Sequence, residues 1–270
     1  MKIYNKKAVI SGDIVEIFEY ENYISEGYQV DKNKISNCLG RSSEATEENK
    51  EVNRVKVLQR ARTSLMRLIN SNIGRYGYNT PKFITLTFKE NVTDIKKSNY
   101  EFKKFRQRLE YKYNFKLKYT CVIEFQKRGA IHYHLVMFNA PYIPNNILRE
   151  IWKNGFVKIN KINHVDNVGA YVCKYMSKDN NDSRLRGEKC YFSSRGLIKP
   201  MEIKDEKEIE KLQLSLPQQT KKYSSSFTND YIGEIKYSQY NLSYVDVEVS
   251  EEQLISKDFR DNLSRFILKI

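Results

Sequence analysis

Hydrophobic positions recur along this chain with two different periods, and the switch from one to the other marks its elements. Leu58, Ala61, Leu65, Leu68 and Ile69 fall at helical spacing, with Arg54, Arg60 and Arg67 among the positions between them. That pattern predicts an amphipathic helix from Glu51 to Ser71. "GRYGYNTP" breaks it, and "KFITLTF" then reads as a strand rich in β-branched and aromatic residues. A second helix is predicted over residues 96–118. "YTCVIEFQ" and "AIHYHLVMF" follow as two strands, "PNNILREIWKNG" as a helix and "FVKIN" as a strand. Residues 165–179, "VDNVGAYVCKYMSKD", predict a further helix ending near Asp179-Asn180, and "EKCYFSSRGLIKP" a strand and turn. The first thirty residues read as one or two strands with turns at Ser11-Gly12 and Glu26-Gly27, and residues 36–50 as a polar loop.

These elements divide the chain into three expected parts. Residues 1–50 hold the N-terminal strands and polar loop, part of the main domain or packed on it. Residues 51–200 form the main domain. Residues 201–270 are an acidic C-terminal extension with short apolar and Tyr-rich segments and no motif of readable chemistry. There is no internal repeat.

Charge sharpens this division. The net charge of +14 is not evenly spread: residues 202–270 carry 10 Lys/Arg against 13 Asp/Glu, a net of −3, which leaves +17 for residues 1–201. Such an excess points to a polyanion partner, with nucleic acid ahead of a membrane surface. The helix predicted over 96–118 concentrates it, with nine basic and two acidic residues among aromatic ones. Lys103, Lys104, Arg106 and Arg108 are its candidate phosphate contacts, although a solvated helix face would show the same pattern. No apolar run approaches a membrane span of roughly 18–20 residues, and the N-terminus lacks a signal-peptide core. Cys38, Cys121, Cys173 and Cys190 form no CxxC pair, so they read as reduced thiols of a cytoplasmic protein.

The chain has three histidines, and two stand one residue apart in a strand, His132 and His134. A lone His on an apolar face is usually a hydrogen-bonded core residue. At i, i+2 both rings project from one side of the strand, where neutral imidazoles form a metal chelate. The loop Lys127-Arg128-Gly129 ends on Gly, as a three-residue hairpin loop requires. The resulting register pairs Gln126 with Ala130, Phe125 with Ile131 and Glu124 with His132, which brings one carboxylate to the face of the two imidazoles. Glu124, His132 and His134 are therefore candidate ligands. With no thiolate in the set, Mn²⁺ or Mg²⁺ suits them. The third histidine, His164, lies outside this pattern.

On the helix predicted over 165–179, Val165, Val168, Val172 and Met176 share an arc, while Tyr171, Lys174 and Lys178 cluster on a neighbouring one, with Tyr175 between. Tyrosines there can be rim packing. Two phenols one turn apart, each followed three residues later by a lysine, also suit covalent chemistry: Tyr171 or Tyr175 as nucleophile, Lys174 and Lys178 holding phosphate or favouring phenolate. Metal, Tyr and Lys acting on a polyanion point to phosphoryl transfer, in which a phenol attacks and a 3′-oxygen departs. The product, a 5′-phosphotyrosine, conserves the bond, so no nucleotide hydrolysis is needed, and no GxxxxGK[ST] loop is present.

"FITLTF", "GAIHYHLVMF" and "YVCKYMSK" occur in the order and rough spacing of the three motifs of the HUH endonuclease superfamily, and the chain resembles its rolling-circle replication initiators of microviruses and small bacterial plasmids. His132-Tyr133-His134 matches the second motif, with Tyr133 an unusual middle residue. Glu124 matches the acidic residue often found upstream on the paired strand. Tyr171 and Lys174 match the Tyr-x-x-Lys of the third motif, and Tyr175 the second tyrosine of some members. The resemblance covers roughly residues 50–200. It implies an α+β fold with a central antiparallel sheet flanked by helices, and leaves the N-terminal strands and the tail unassigned. It also implies metal-dependent nicking of single-stranded origin DNA in a hairpin, in the cytoplasm of a bacterial host whose helicase and DNA polymerase extend the nick. A plasmid-mobilisation relaxase, a transposase and a catalytically idle DNA-binding replication-control protein are the alternatives.

Overall fold

The structure, a computed structural model, describes residues 2–27, 46–77, 81–160, 162, 165–176, 184 and 188–243. The α+β class is as expected, but the strands form two five-stranded antiparallel sheets. The chain divides into two units, Met1–Gln29 with Met201–Ile270, and Val30–Pro200.

In the first unit the strands β1 (Lys2–Ser11), β2 (Ile14–Glu26), β8 (Met201–Ile203), β9 (Lys221–Asn229) and β10 (Gly233–Asn241) lie in the order β8-β1-β2-β10-β9. The Ser11-Gly12 turn is present, with Gly12 at φ +64°. Ala8, Ile10, Val15 and Ile17 alternate onto one face, where the helix α5 (Glu206–Ser215) lays Ile209 and Leu212 over them. Residues 201–243, read from sequence as a tail without a motif, thus complete the sheet begun by the first strands.

The second unit holds the candidate site. Its sheet joins β3 (Lys82–Phe88), β4 (Tyr119–Phe125), β5 (Ile131–Met137), β6 (Gly155–Asn160) and β7 (Tyr191–Ser193) in the order β6-β3-β5-β4-β7. Alternation gives the sheet two buried faces. Ile84, Leu86, Ile123, Tyr133 and Leu135 point to one, covered by α2 (Ile95–Tyr113) and α3 (Asn145–Trp152). Asp94 caps α2 by accepting from the Lys97 N–H at 2.8 Å, and Ser98, Phe102, Phe105 and Leu109 form its buried stripe. Phe83, Val122 and Val136 point to the other face, against α1 (Glu47–Asn70) and α4 (Val168–Cys173).

Two boundaries differ from the sequence reading. Helix α1 begins at Glu47, inside the expected loop, because Thr46 accepts from the Asn49 N–H at 3.3 Å and starts the helix there. Regular α-helix starts at Val168, not Val165. Asn167 caps it through the Ala170 N–H, and the chain tightens to a 3₁₀ turn at Lys174–Met176. Among the described residues, no helix is long and apolar enough to cross a membrane.

Candidate metal centre

The β4–β5 hairpin has the register read from its loop: Phe125 faces Ile131, Glu124 faces His132 and Val122 faces His134. The Gln126 N–H donates to the Ala130 carbonyl at 2.8 Å, and Gly129 closes the loop at φ +91°, a conformation that glycine adopts without strain. Alternation then does the sorting. His132 and His134 point to the α1/α4 face, while Tyr133 between them is fully buried under α2, its phenol donating to Asn99 Oδ1 at 2.8 Å. The unusual middle residue of the motif is thus a core residue of the other layer.

One ligand atom from each of Glu124, His132 and His134 lies within 4.8 Å of the other two. A Glu124 carboxylate oxygen contacts His134 Nε2, and His134 Nδ1 is 3.2 Å from Thr85 Oγ1 on the neighbouring strand β3. Thr85 therefore orients the ring from behind, as outer partners of metal-bound histidines do. His132 Nε2 is buried and has no hydrogen-bond partner. Burial and the neighbouring His134 push the His132 imidazole down to about 4. A neutral imidazole nitrogen aimed at a carboxylate and a second imidazole fits a divalent metal ion, and an unpartnered buried polar atom would otherwise be costly.

The tyrosines reach the same place from α4. Tyr175 stacks on the His134 ring, with centroids 4.0 Å apart and planes at 25°. Tyr171 meets Tyr175 edge-on at 6.2 Å and packs on Phe83 at 5.7 Å. Lys174 Nζ lies 5.7 Å from the centre of the Tyr171 ring. Burial, the hydrogen-bonded Tyr171 phenol and the Glu124 carboxylate together raise the Tyr175 phenol to about 12. Lys178 and His164 lie outside the described residues.

A polar lock holds α4 in position. Asn70, at the end of α1, accepts from the Gly169 N–H at 2.8 Å and donates to Asn167 Oδ1 at 3.0 Å. A Cβ on Gly169 would stand 2.3 Å from the Met66 carbonyl oxygen, so only glycine lets the helices approach this closely. The sequence reading did not single out Thr85, Asn70, Asn167 or Gly169. The polar alternation Thr85, Thr87 within an apolar strand was a usable signal for the first. The others act through a contact about a hundred residues apart in the chain, with no local signature.

The predicted DNA-contacting residues lie on α2. Lys103 and Lys104 are exposed, and Lys104 Nζ sits 5.1 Å from the centre of the Tyr100 ring. Arg106 is half-buried near Glu110. The Arg108 guanidinium donates to the Ile151 and Trp152 carbonyls at 2.7 and 3.1 Å and so ties α2 to the end of α3. Cys121, Cys173 and Cys190 are free and buried.

Two comparisons with known proteins bear on this site. A family of replication-associated proteins, the ORF2 type, matches residues 81–180, which span β3, the hairpin and both tyrosines. The Phasyl DNA replicon protein arp of Escherichia coli is 28% identical over 149 residues, covering 45% of this chain and 51% of that protein. The chain thus spans about half the length of this curated relative. No solved structure matches it. The site is therefore similar in sequence to a segment of replication-associated proteins.

Proposed function

We propose that this protein initiates rolling-circle DNA replication as a metal-dependent, origin-specific nickase and strand transferase of the HUH type. One observation carries the reading: a carboxylate and two imidazoles converge within 4.8 Å, and one of two tyrosines four residues apart stacks on an imidazole of that set. The similarity to a replication-associated family and to a replicon protein supports it.

Glu124, His132 and His134 would hold the ion, Mn²⁺ or Mg²⁺, which when bound polarises a phosphate and stabilises a departing oxygen. Thr85 fixes the His134 ring. Tyr171 or Tyr175 supplies the nucleophile. As its phenol oxygen bonds to phosphorus, the bond from phosphorus to the 3′-oxygen breaks, and the phenol proton ends on that oxygen. The products are a 5′-phosphotyrosine and a free 3′-hydroxyl, which host polymerase and helicase would use for synthesis. Lys174 and Lys178 would hold phosphate beside the phenols. Lys103, Lys104 and Arg106 are the proposed DNA-backbone contacts of α2, with Arg108 securing that helix.

The test uses a random-sequence library of single-stranded DNA incubated with the protein and Mn²⁺, then denatured. A heat-stable protein–DNA adduct is expected, and it should be absent in EDTA. No adduct with any sequence, or an adduct indifferent to chelation, would refute the proposal.

A further inference from the structure

The largest open groove of the described residues in the second unit, about 880 Å³, lies between α2 and the end strand β7. It is on the side of the sheet away from the metal ligands. Its floor includes Tyr119 and Ile123, and β4 alternation puts both on the face opposite Glu124. Phe192, the partner of Cys121 in the ladder, adds a half-buried ring to that floor.

The groove is strongly cationic. Lys103, Arg106, Lys116, Lys118, Lys189 and Arg195 line it, against two carboxylates, Glu110 and Glu188. Glu110 is already engaged, accepting from the Leu117 N–H at 3.0 Å with Arg106 and Lys116 nitrogens each 3.9 Å from its carboxylate. Lys118 is spent too, donating to the Arg195 carbonyl at 2.9 Å and thereby holding the turn that presents Arg195. Lys103, Lys116, Lys189 and Arg195 remain as an exposed rim around an aromatic floor. Spaced cations along a groove suit a phosphodiester backbone, and a ring at its floor suits an unpaired base.

We infer that this groove binds single-stranded nucleic acid, holding a segment that flanks the phosphate being cut. The inference rests on the reading above only in taking DNA as the partner. Because the groove and the ligand set occupy opposite faces, one nucleotide cannot fill both, and a strand joining them would pass round β7. The groove is then an anchor for the strand, separate from the chemistry.

The test measures binding without catalysis. Affinity for a fluorescent 30-nucleotide single strand is followed by anisotropy in EDTA across a salt series, for the intact chain and for the Lys116→Gln/Lys189→Gln/Arg195→Gln variant. Loss of three contacts should lower the salt slope by roughly 2, at about 0.7 per phosphate on a single strand, and weaken binding more than tenfold at low salt. Arg195→Lys should retain most of the affinity. An unchanged slope in the triple variant would overturn the inference, as would a loss confined to duplex DNA. Adduct formation by the intact chain is scored separately. Its absence alongside a groove-dependent slope would remove the nickase and leave the groove.

Discussion

The Tyr175 ring lies on the His134 imidazole, centroids 4.0 Å apart, and Tyr171 meets Tyr175 edge-on at 6.2 Å. The 3₁₀ turn at Lys174–Met176 contributes to this arrangement, since about 120° per residue carries Tyr175 further round than an α-helix would. The two phenols are not equivalent. Tyr175 is held protonated, up to about 12, while Lys174 stands over the Tyr171 ring. Tyr171→Phe is therefore expected to lose most of the covalent adduct on a single-stranded substrate. Tyr175→Phe should retain much of it and fail in repeated cleavage and joining, where a second nucleophile is needed. Quantifying adduct after one and after many turnovers separates the two.

Thr85 meets the ligand set at His134 Nδ1, 3.2 Å away, so its contribution is to aim that ring. Thr85→Val keeps the shape and removes the hydroxyl. Mn²⁺ affinity, read by calorimetry, should fall roughly 10–100-fold, as is typical when an outer partner of a metal ligand is lost. His132→Ala should abolish the binding isotherm. Equal affinity in Thr85→Val and the intact chain would assign Thr85 to packing alone.

His132 gives the metal-free protein an acid-side weakness. Its folded value of about 4 lies below the ordinary 6.5. Between those values the unfolded chain takes up a proton here and the folded chain does not, so stability falls as pH drops through that window. Above 6.5 both states carry the neutral ring and the contribution is flat. Urea midpoints in EDTA should decline from pH 6.5 towards pH 4, the window between those two values, and His132→Asn should remove part of that decline. A profile identical in the variant would contradict the assignment.

Gly169→Ala should be costly despite its small size. The added methyl would stand 2.3 Å from the Met66 carbonyl oxygen and 2.8 Å from Asn70 Oδ1, so α4 must back away from α1. Overpacking of this kind costs typically about 1–3 kcal/mol, read as a lower urea midpoint. Any shift of α4 also moves both tyrosines, so the adduct yield should drop further than the stability loss explains. A variant of unchanged stability and yield would show that the helices are not in tight contact.

How much of this was legible in the sequence depends on the range of the interaction. The loop Lys127-Arg128-Gly129 and strict alternation were sufficient to pair Glu124 with His132, because a hairpin register is set locally. The stripe of α2 was equally readable, since Phe102, Phe105 and Leu109 recur within one helix. The pairings of β10 with β2 and of β8 with β1 were not, because Tyr237 meets Phe18 across most of the chain and nothing local announces it. The start of α4 was misjudged for a related reason. The apolar arc extended back to Val165, while Asn167, held in place by Asn70, starts the regular helix.

The most direct measurement is mass-spectrometric mapping of the peptide that carries DNA after reaction with Mn²⁺ and single-stranded substrate. The account predicts a 5′-phosphonucleotide on Tyr171, with a lesser fraction on Tyr175, and none on either when His134 is replaced by alanine. A nucleotide attached to any other residue, or adduct formed in full by His134→Ala in the presence of chelator, would contradict it.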